Sequence, residues 1–319
     1  MEDYPRNLSE FDARFGTESA CRAYLFQLRW PEGFRCPRCG CQESSPVRTV
    51  LLRCGKCRHQ TSVTAGTIFQ DTRTPLRLWF QAMWWVTTQK NGASALGLQR
   101  VLGLKQYQTA WTWLHKLRCA MVRPGRDLLS GRVEVDETYL GGLEEGLSGR
   151  KTETKALIIV AAEEDGMGIG RIRMRLIGDA SAKCLQAFVQ ESVAAGSIVH
   201  TDGWAGYPGL TGKGYVHEVT ILKGRTESPS ELLPRVHRVI SLLKRWLMGT
   251  HQGAVSHKHL DYYLDEFTFR FNRRNSASRG KLFFRLAQQA VAAEPISYDA
   301  IVQQTRGRSG SSKLQVVAR

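Results

Sequence analysis

No stretch of this 319-residue sequence is apolar for long enough to cross a membrane. The longest apolar run, Ala156 to Ala162, falls far short of the roughly 20 residues that a bilayer-spanning helix needs. Its opening Met1-Glu2-Asp3-Tyr4 is acidic where a secretory signal is basic, and is not expected to act as a signal peptide. No internal repeat is present, which excludes stacked-repeat architectures. Negative charge is scarce. Against 45 Lys and Arg stand 29 Asp and Glu, a net charge of +16. An excess of this size points to a polyanionic partner, and nucleic acid is the usual one. A cytoplasmic location is expected. There the eight cysteines serve as metal ligands or buried thiols rather than as disulfides.

The positive charge is concentrated. Between Lys223 and Arg285 lie 13 Lys and Arg against 5 Asp and Glu, so half of the net excess sits in about a fifth of the chain. That favours a binding face over uniform solubilisation. The pattern along the chain predicts an α/β protein in several parts. Residues 1–32 are an amino-terminal helical segment. A cysteine-rich segment follows over 33–62, then a Trp-rich helical segment over 63–124. After Pro124-Gly125 the pattern changes to strands and helices, read as one domain over 125–292. Residues 293–319 form a basic tail, expected to be disordered. Within 125–292, Arg132 to Tyr139 alternates, with Val133 and Val135 on one face and Glu134, Asp136 and Thr138 on the other. Ala156 to Ala162 reads as a central strand. Arg171 to Ile177, Ser197 to Thr201 and Tyr215 to Leu222 supply further strands. Ala182 to Ala195, Pro234 to Met248 and His257 to Phe271 read as helices.

Cys36-Pro37-Arg38-Cys39 and Cys54-Gly55-Lys56-Cys57 are two CxxC knuckles, the spacing that places four thiolates around one structural zinc ion. Gly40 and Gly55 are expected to supply the backbone freedom of the tight turns. So short a segment cannot fold on apolar burial alone, so the metal would supply the folding energy. A closed four-cysteine site is structural and says nothing of catalysis.

In the helical segment, Leu76, Trp79, Phe80, Met83 and Trp84 share one apolar face. A short helix over Ala93 to Leu102, a turn at Gly103-Leu104-Lys105 and a third helix over Gln106 to Met121 make up a helix-turn-helix. The third helix carries Gln108, Thr112, His115, Lys116 and Arg118, side chains able to contact DNA. On pattern alone an ordinary helical bundle is an equal reading; the basic chain and the neighbouring cysteine knuckles favour DNA.

Asp136 lies on the polar face of its strand, and Asp202 ends the strand Ser197 to Thr201. Two carboxylates from neighbouring strands can hold divalent ions, and oxygen-rich sites suit magnesium or manganese. On the helix after Pro234, His237, Ser241 and Lys244 form a stripe beside the apolar one, with Arg238 and Arg245 further round. Such a helix can set a metal ligand and a phosphate-binding cation beside the two aspartates.

Taken in order, these features resemble bacterial insertion-sequence transposases with an amino-terminal zinc ribbon and an RNase H-like DDE catalytic domain. The motifs are the two knuckles, Thr64-Ala65-Gly66-Thr67-Ile68-Phe69, Val135-Asp136-Glu137-Thr138-Tyr139-Leu140-Gly141-Gly142, Thr201-Asp202-Gly203-Trp204-Ala205-Gly206-Tyr207, the run from His237 to Arg245 and that from Tyr263 to Arg274. The resemblance extends to about Arg285. It implies an RNase H-like mixed sheet flanked by helices, with Asp136 and Asp202 as the first two catalytic carboxylates. The third position is usually Glu. Here His237 stands seven residues before the motif lysine Lys244 and is expected as the third ligand, with Glu231 and Glu227 as neighbours able to serve. Two magnesium or manganese ions are implied, with Lys244 on a phosphate and Arg238, Arg245, Arg270, Arg273 and Arg274 along the DNA backbone. So are hydrolysis at a transposon end, attack of the freed 3′-hydroxyl on target DNA, a homodimer or larger synaptic assembly, and a place on the bacterial nucleoid. Two other readings share these residues. One is an RNase H-like nuclease that cuts without joining, the other a non-catalytic zinc-ribbon regulator.

Overall fold

Capping side chains start the first two helices of the computed structural model, which describes residues 3–123, 125–141, 155–221 and 228–303. Asn7 accepts from Glu10 N at 2.9 Å ahead of α1 (Leu8–Arg14), and Thr17 accepts from Ala20 N at 3.2 Å ahead of α2 (Glu18–Arg29). A three-stranded antiparallel sheet follows, of β1 (Ser44–Val47), β2 (Leu51–Cys54) and β3 (Gln60–Thr61). Then come α3 (Leu76–Thr88), α4 (Ala95–Leu102) and α5 (Tyr107–Ala120). Ser94 caps α4, and Gly103 ends it at φ 62°, the left-handed stop that the Gly103 turn foretold.

The second sheet has five strands: β4 (Arg132–Leu140), β5 (Ala156–Asp165), β6 (Gly168–Ile177), β7 (Ile198–Thr201) and β8 (Val216–Val219), in the order β6-β5-β4-β7-β8. β4 is antiparallel to β5 and parallel to β7. The helix α6 (Ala182–Ser192) covers one face. α7 (Pro229–Leu232) leads into α8 (Pro234–His251), which covers the other face with α9 (Leu260–Phe271). This is the mixed sheet flanked by helices that the sequence predicts. β5 is buried on both faces: Leu157, Ile159 and Ala161 pack toward α6, Ile158, Val160 and Ala162 toward α8. The polar face of β4 is not solvated. α8 lies over it, because the Val236, Val239, Ile240, Leu243 and Leu247 stripe needs an apolar partner and finds it in β5 and β6.

Two helices follow α9, namely α10 (Arg279–Ala290) and α11 (Tyr298–Gln303). The expected boundary at 292 groups α10 with the sheet. Its apolar face lies instead in the amino-terminal core, where Phe283 meets Phe11 edge-on at 5.5 Å and stacks against Tyr24 at 6.2 Å. The amino-terminal helices, α3, α5 and α10 thus share one core. Part of the expected tail, 304–319, lies outside the described residues.

A buried ion pair joins the two parts. Arg118 on α5 donates to Glu266 on α9 at 2.8 Å, and its guanidinium stacks on Tyr263 at 3.9 Å. Both side chains are almost fully buried, so neither can recover water if its partner is lost. Arg118→Met is expected to destabilise the chain by about 3–5 kcal/mol, the range for breaking a buried pair from one side. Arg118→Met combined with Glu266→Gln should recover part of that loss. Denaturant unfolding checks this, and a double variant less stable than the single one contradicts it.

Candidate active site and metal centre

The two cysteine knuckles converge. The sulfurs of Cys36, Cys39, Cys54 and Cys57 all lie within 4.8 Å of one another, with Cys36 to Cys57 at 3.6 Å and Cys39 to Cys54 at 3.5 Å. A tetrahedral zinc with bonds of about 2.3 Å sets its sulfurs roughly 3.8 Å apart, so the four thiols fit that ion. Among the described residues no other group of three or more His, Cys, Asp or Glu is drawn so close. The turn chemistry differs from expectation. Gly40 follows the first knuckle at φ 74°, but the matching residue of the second is Arg58, at φ 60°. Gly55 does not take a left-handed conformation. Its role is close approach: its N–H donates to Glu43 O at 2.9 Å, and a Cβ there would meet Glu43 at 3.1 Å.

The catalytic candidates come from β4, β7 and α8. The parallel register pairs Glu134 with His200, and two residues further along each chain come Asp136 and Asp202. Neighbouring strands run roughly 5 Å apart, so the continuing register puts Asp136 and Asp202 on the same face of adjacent strands, just beyond the last paired residues. Gly203 makes the turn after Asp202, at φ 84°. A Cβ there would sit 2.8 Å from Val219, so both the conformation and the space require glycine. Asp202 Oδ1 accepts from Trp204 N at 3.0 Å, the local bond that favours Asp at such a turn.

α8 brings the other two groups. His237 Nε2 lies 3.5 Å from Asp136 Oδ2, buried and without a hydrogen-bond partner. Burial holds the imidazole below its ordinary pKa, against the pull of Glu134 and Asp202. The neutral ring that results has a lone pair to offer. Lys244 Nζ donates to Thr138 Oγ1 at 3.0 Å, on the same β4 face as Asp136. Burial lowers its pKa while Asp136 raises it. Two carboxylates and an orphaned imidazole nitrogen are a donor set suited to a divalent cation, and more to manganese than an all-oxygen set would be. Glu231, the neighbour considered for the third position, has its Oε2 engaged by Ser228 N at 2.7 Å on exposed α7. Glu227 lies outside the described residues.

The DNA-contact candidates divide. On α5, Gln108 is exposed and Lys116 half-buried, and both line a groove of about 300 Å³ with Thr112 and Arg73. His115 and Arg118 do not: both are buried against α9. Arg238 and Arg245 stand exposed on the outer side of α8. Arg270, Arg273 and Arg274 do not form the free cationic row expected of them. Arg270 donates to Val86 O and Gln89 O, closing the end of α3. Arg274 donates to Gly170 O and Ile169 O of β6, and Arg273 stacks on Phe269 at 4.1 Å. Buried carbonyls at element ends need donors, and these guanidiniums supply them.

Residues 128–272 match the ISXO2-like transposase domain, and residues 16–60 match a transposase zinc-ribbon domain. The chain is thus similar to transposases over both its cysteine-rich segment and its sheet domain. It is also 27% identical over 279 residues to an uncharacterised protein in transposable element ISH50 of Halobacterium salinarum, covering 80% of this chain and 91% of that one. That relative is archaeal, so the likeness is not confined to the bacterial elements that the motifs suggested. The domain match contains Asp136, Asp202, His237 and Lys244 of this transposase-like chain. Among its described residues no helix is long and apolar enough to cross a membrane.

Proposed function

We propose that the protein is a DNA transposase that cuts at the ends of its element and joins the freed 3′-hydroxyls to target DNA. The observation that carries this reading is the unpartnered His237 nitrogen 3.5 Å from Asp136 at the sheet centre, with Asp202 directly after the neighbouring parallel strand. Asp136, Asp202 and His237 would hold magnesium or manganese, which supplies Lewis acidity for in-line phosphoryl transfer when bound. Lys244 would release Thr138 and set its charge on a non-bridging phosphate oxygen. Gln108 and Lys116 on α5, with Arg238 and Arg245 on α8, are the DNA contacts that stay accessible. Synapsis of two ends calls for a dimer or larger assembly on DNA. The four cysteines would hold the structural zinc.

The test is cleavage and joining of labelled DNA carrying the element's ends, in magnesium and in manganese. His237→Ala is expected to slow both steps by at least roughly 10²-fold, beyond the losses known for residues that merely support a metal ligand. His237→Glu should move the ratio of manganese to magnesium activity toward magnesium, because a carboxylate is the harder donor. Full activity in His237→Ala removes His237 from the site. Cutting without joining by the native protein would favour the nuclease reading.

A further inference from the structure

Asp136 is flanked on β4 by two more glutamates, and the carboxylate of each accepts hydrogen bonds from a different segment. Glu134 is only 1% exposed. Its Oε2 accepts from Arg235 N at 2.8 Å and Val236 N at 2.9 Å, and its Oε1 accepts from Arg235 Nη1 at 3.1 Å. Those amides belong to the first turn of α8. There Pro234 has no N–H and the N-cap residue, Leu233, makes no side-chain cap. First-turn amides have no partner within their own helix, and Val236 is fully buried, so water cannot serve it. Glu134 is thus the cap of α8, supplied from across the layer. Its charge suits the positive end of the helix. The next residue after the capped pair is His237.

Glu137 lies on the other face of the strand. Its Oε2 accepts from Tyr207 Oη at 2.7 Å, and Tyr207 is fully buried in the α6-side core. Tyr207 closes the short loop that begins at Asp202, and its own N–H donates to Trp204 O at 3.1 Å. One carboxylate therefore ties the helix of His237 and Lys244 to β4, and the other ties the loop of Asp202 to the same strand.

We infer that Glu134 and Glu137 are positioning residues rather than metal ligands, and that they fix His237 and Asp202 about Asp136. The chemistry so served is that of the transposase reading, but the contacts exist whether or not that reading holds. The full-length, zinc-loaded protein is examined as Glu134→Ala, Glu134→Gln and Tyr207→Phe. The readouts are amide hydrogen exchange, manganese binding by electron paramagnetic resonance, and end cleavage.

Glu134→Ala is expected to speed exchange at Val236 to Ile240 by at least tenfold and to weaken manganese binding by about 10–100-fold. Glu134→Gln keeps an oxygen to accept the two amides and should stay within about threefold of the native protein in both measures. Tyr207→Phe should loosen the segment after Asp202 and leave α8 unchanged. Equal losses in Glu134→Gln and Glu134→Ala would overturn the inference, because they mark a ligand or a charge rather than a cap. So would unchanged α8 exchange in Glu134→Ala, or loosening of α8 by Tyr207→Phe. If Glu134→Ala does not fold, Glu134→Gln and Tyr207→Phe still decide. Native protein that binds manganese and shows these exchange patterns but cuts no DNA refutes the transposase reading and leaves this inference standing.

Discussion

Asp136→Asn and Asp202→Asn are each expected to slow end cleavage and joining by at least roughly 10³-fold, with end binding held within about twofold. A divalent ion contributes several kcal/mol to the transition state of phosphoryl transfer, and about 1.4 kcal/mol is tenfold in rate. Asn keeps the shape of each side chain and an oxygen for the local bonds, from Glu137 N to Asp136 and from Trp204 N to Asp202. What it removes is the negative charge that would neutralise a cation. Asp136 should be the more sensitive of the two. It is 9% exposed and faces His237 and Lys244, whereas Asp202 is only half-buried. Binding should survive because neither substitution touches the accessible candidates, Gln108 and Lys116 on α5 in a different core and Arg238 and Arg245 exposed on α8. Gel-shift and strand-transfer assays on one preparation separate the two effects. Retained transfer in either variant would remove that aspartate from the site.

The strands and helices around this site were legible because their patterns are strong. The alternation in β4 and the continuous apolar run of β5 gave a strand at the sheet centre and its neighbour, and the α8 stripe gave a buried face. The cysteine spacing gave the cluster. What the pattern hid was which side of β4 meets water. Polar residues at alternate positions mark a polar face without saying how deeply it is covered, and Glu134 is among the most buried side chains because α8 supplies the amides that satisfy it. Burial of a carboxylate is set by a partner about a hundred residues away, and local spacing carries no trace of it. The same holds for Arg118, which reads as a DNA contact on α5 and is an ion-pair partner of Glu266. It also holds for Arg270 and Arg274, which close element ends instead of lining a groove. α10 is different. Leu282, Phe283, Leu286, Ala287 and Ala290 repeat at helical spacing, so a signal was there; only the core it joins, at the other end of the chain, lay beyond reach.

Stripping the zinc with a strong chelator is expected to unfold the ribbon over residues 36–60 and to spare the five-stranded sheet. The three ribbon strands total ten residues, and most of their side chains are exposed or half-buried. So little apolar burial cannot offset about 1–2 kcal/mol of backbone entropy per residue. Structural zinc in small fingers contributes about 10–16 kcal/mol, more than enough to reverse that balance. The loss should stop at the ribbon's edge, because what lies beyond is held by other means. Arg29 donates to Ser62 O at 2.9 Å and Val63 O at 3.0 Å, and Ile68 and Phe69 are fully buried in the helical core. Limited trypsin digestion should therefore open at Arg48, Arg53 and Arg58 in chelated protein, while fragments containing the sheet persist. Cys39→Ser should give the same digestion pattern without chelator, since the remaining three thiols leave the ion open to solvent. Digestion of the ribbon that is equally slow with and without metal would mean that the strands hold themselves. The four cysteines would then have to be read as buried thiols.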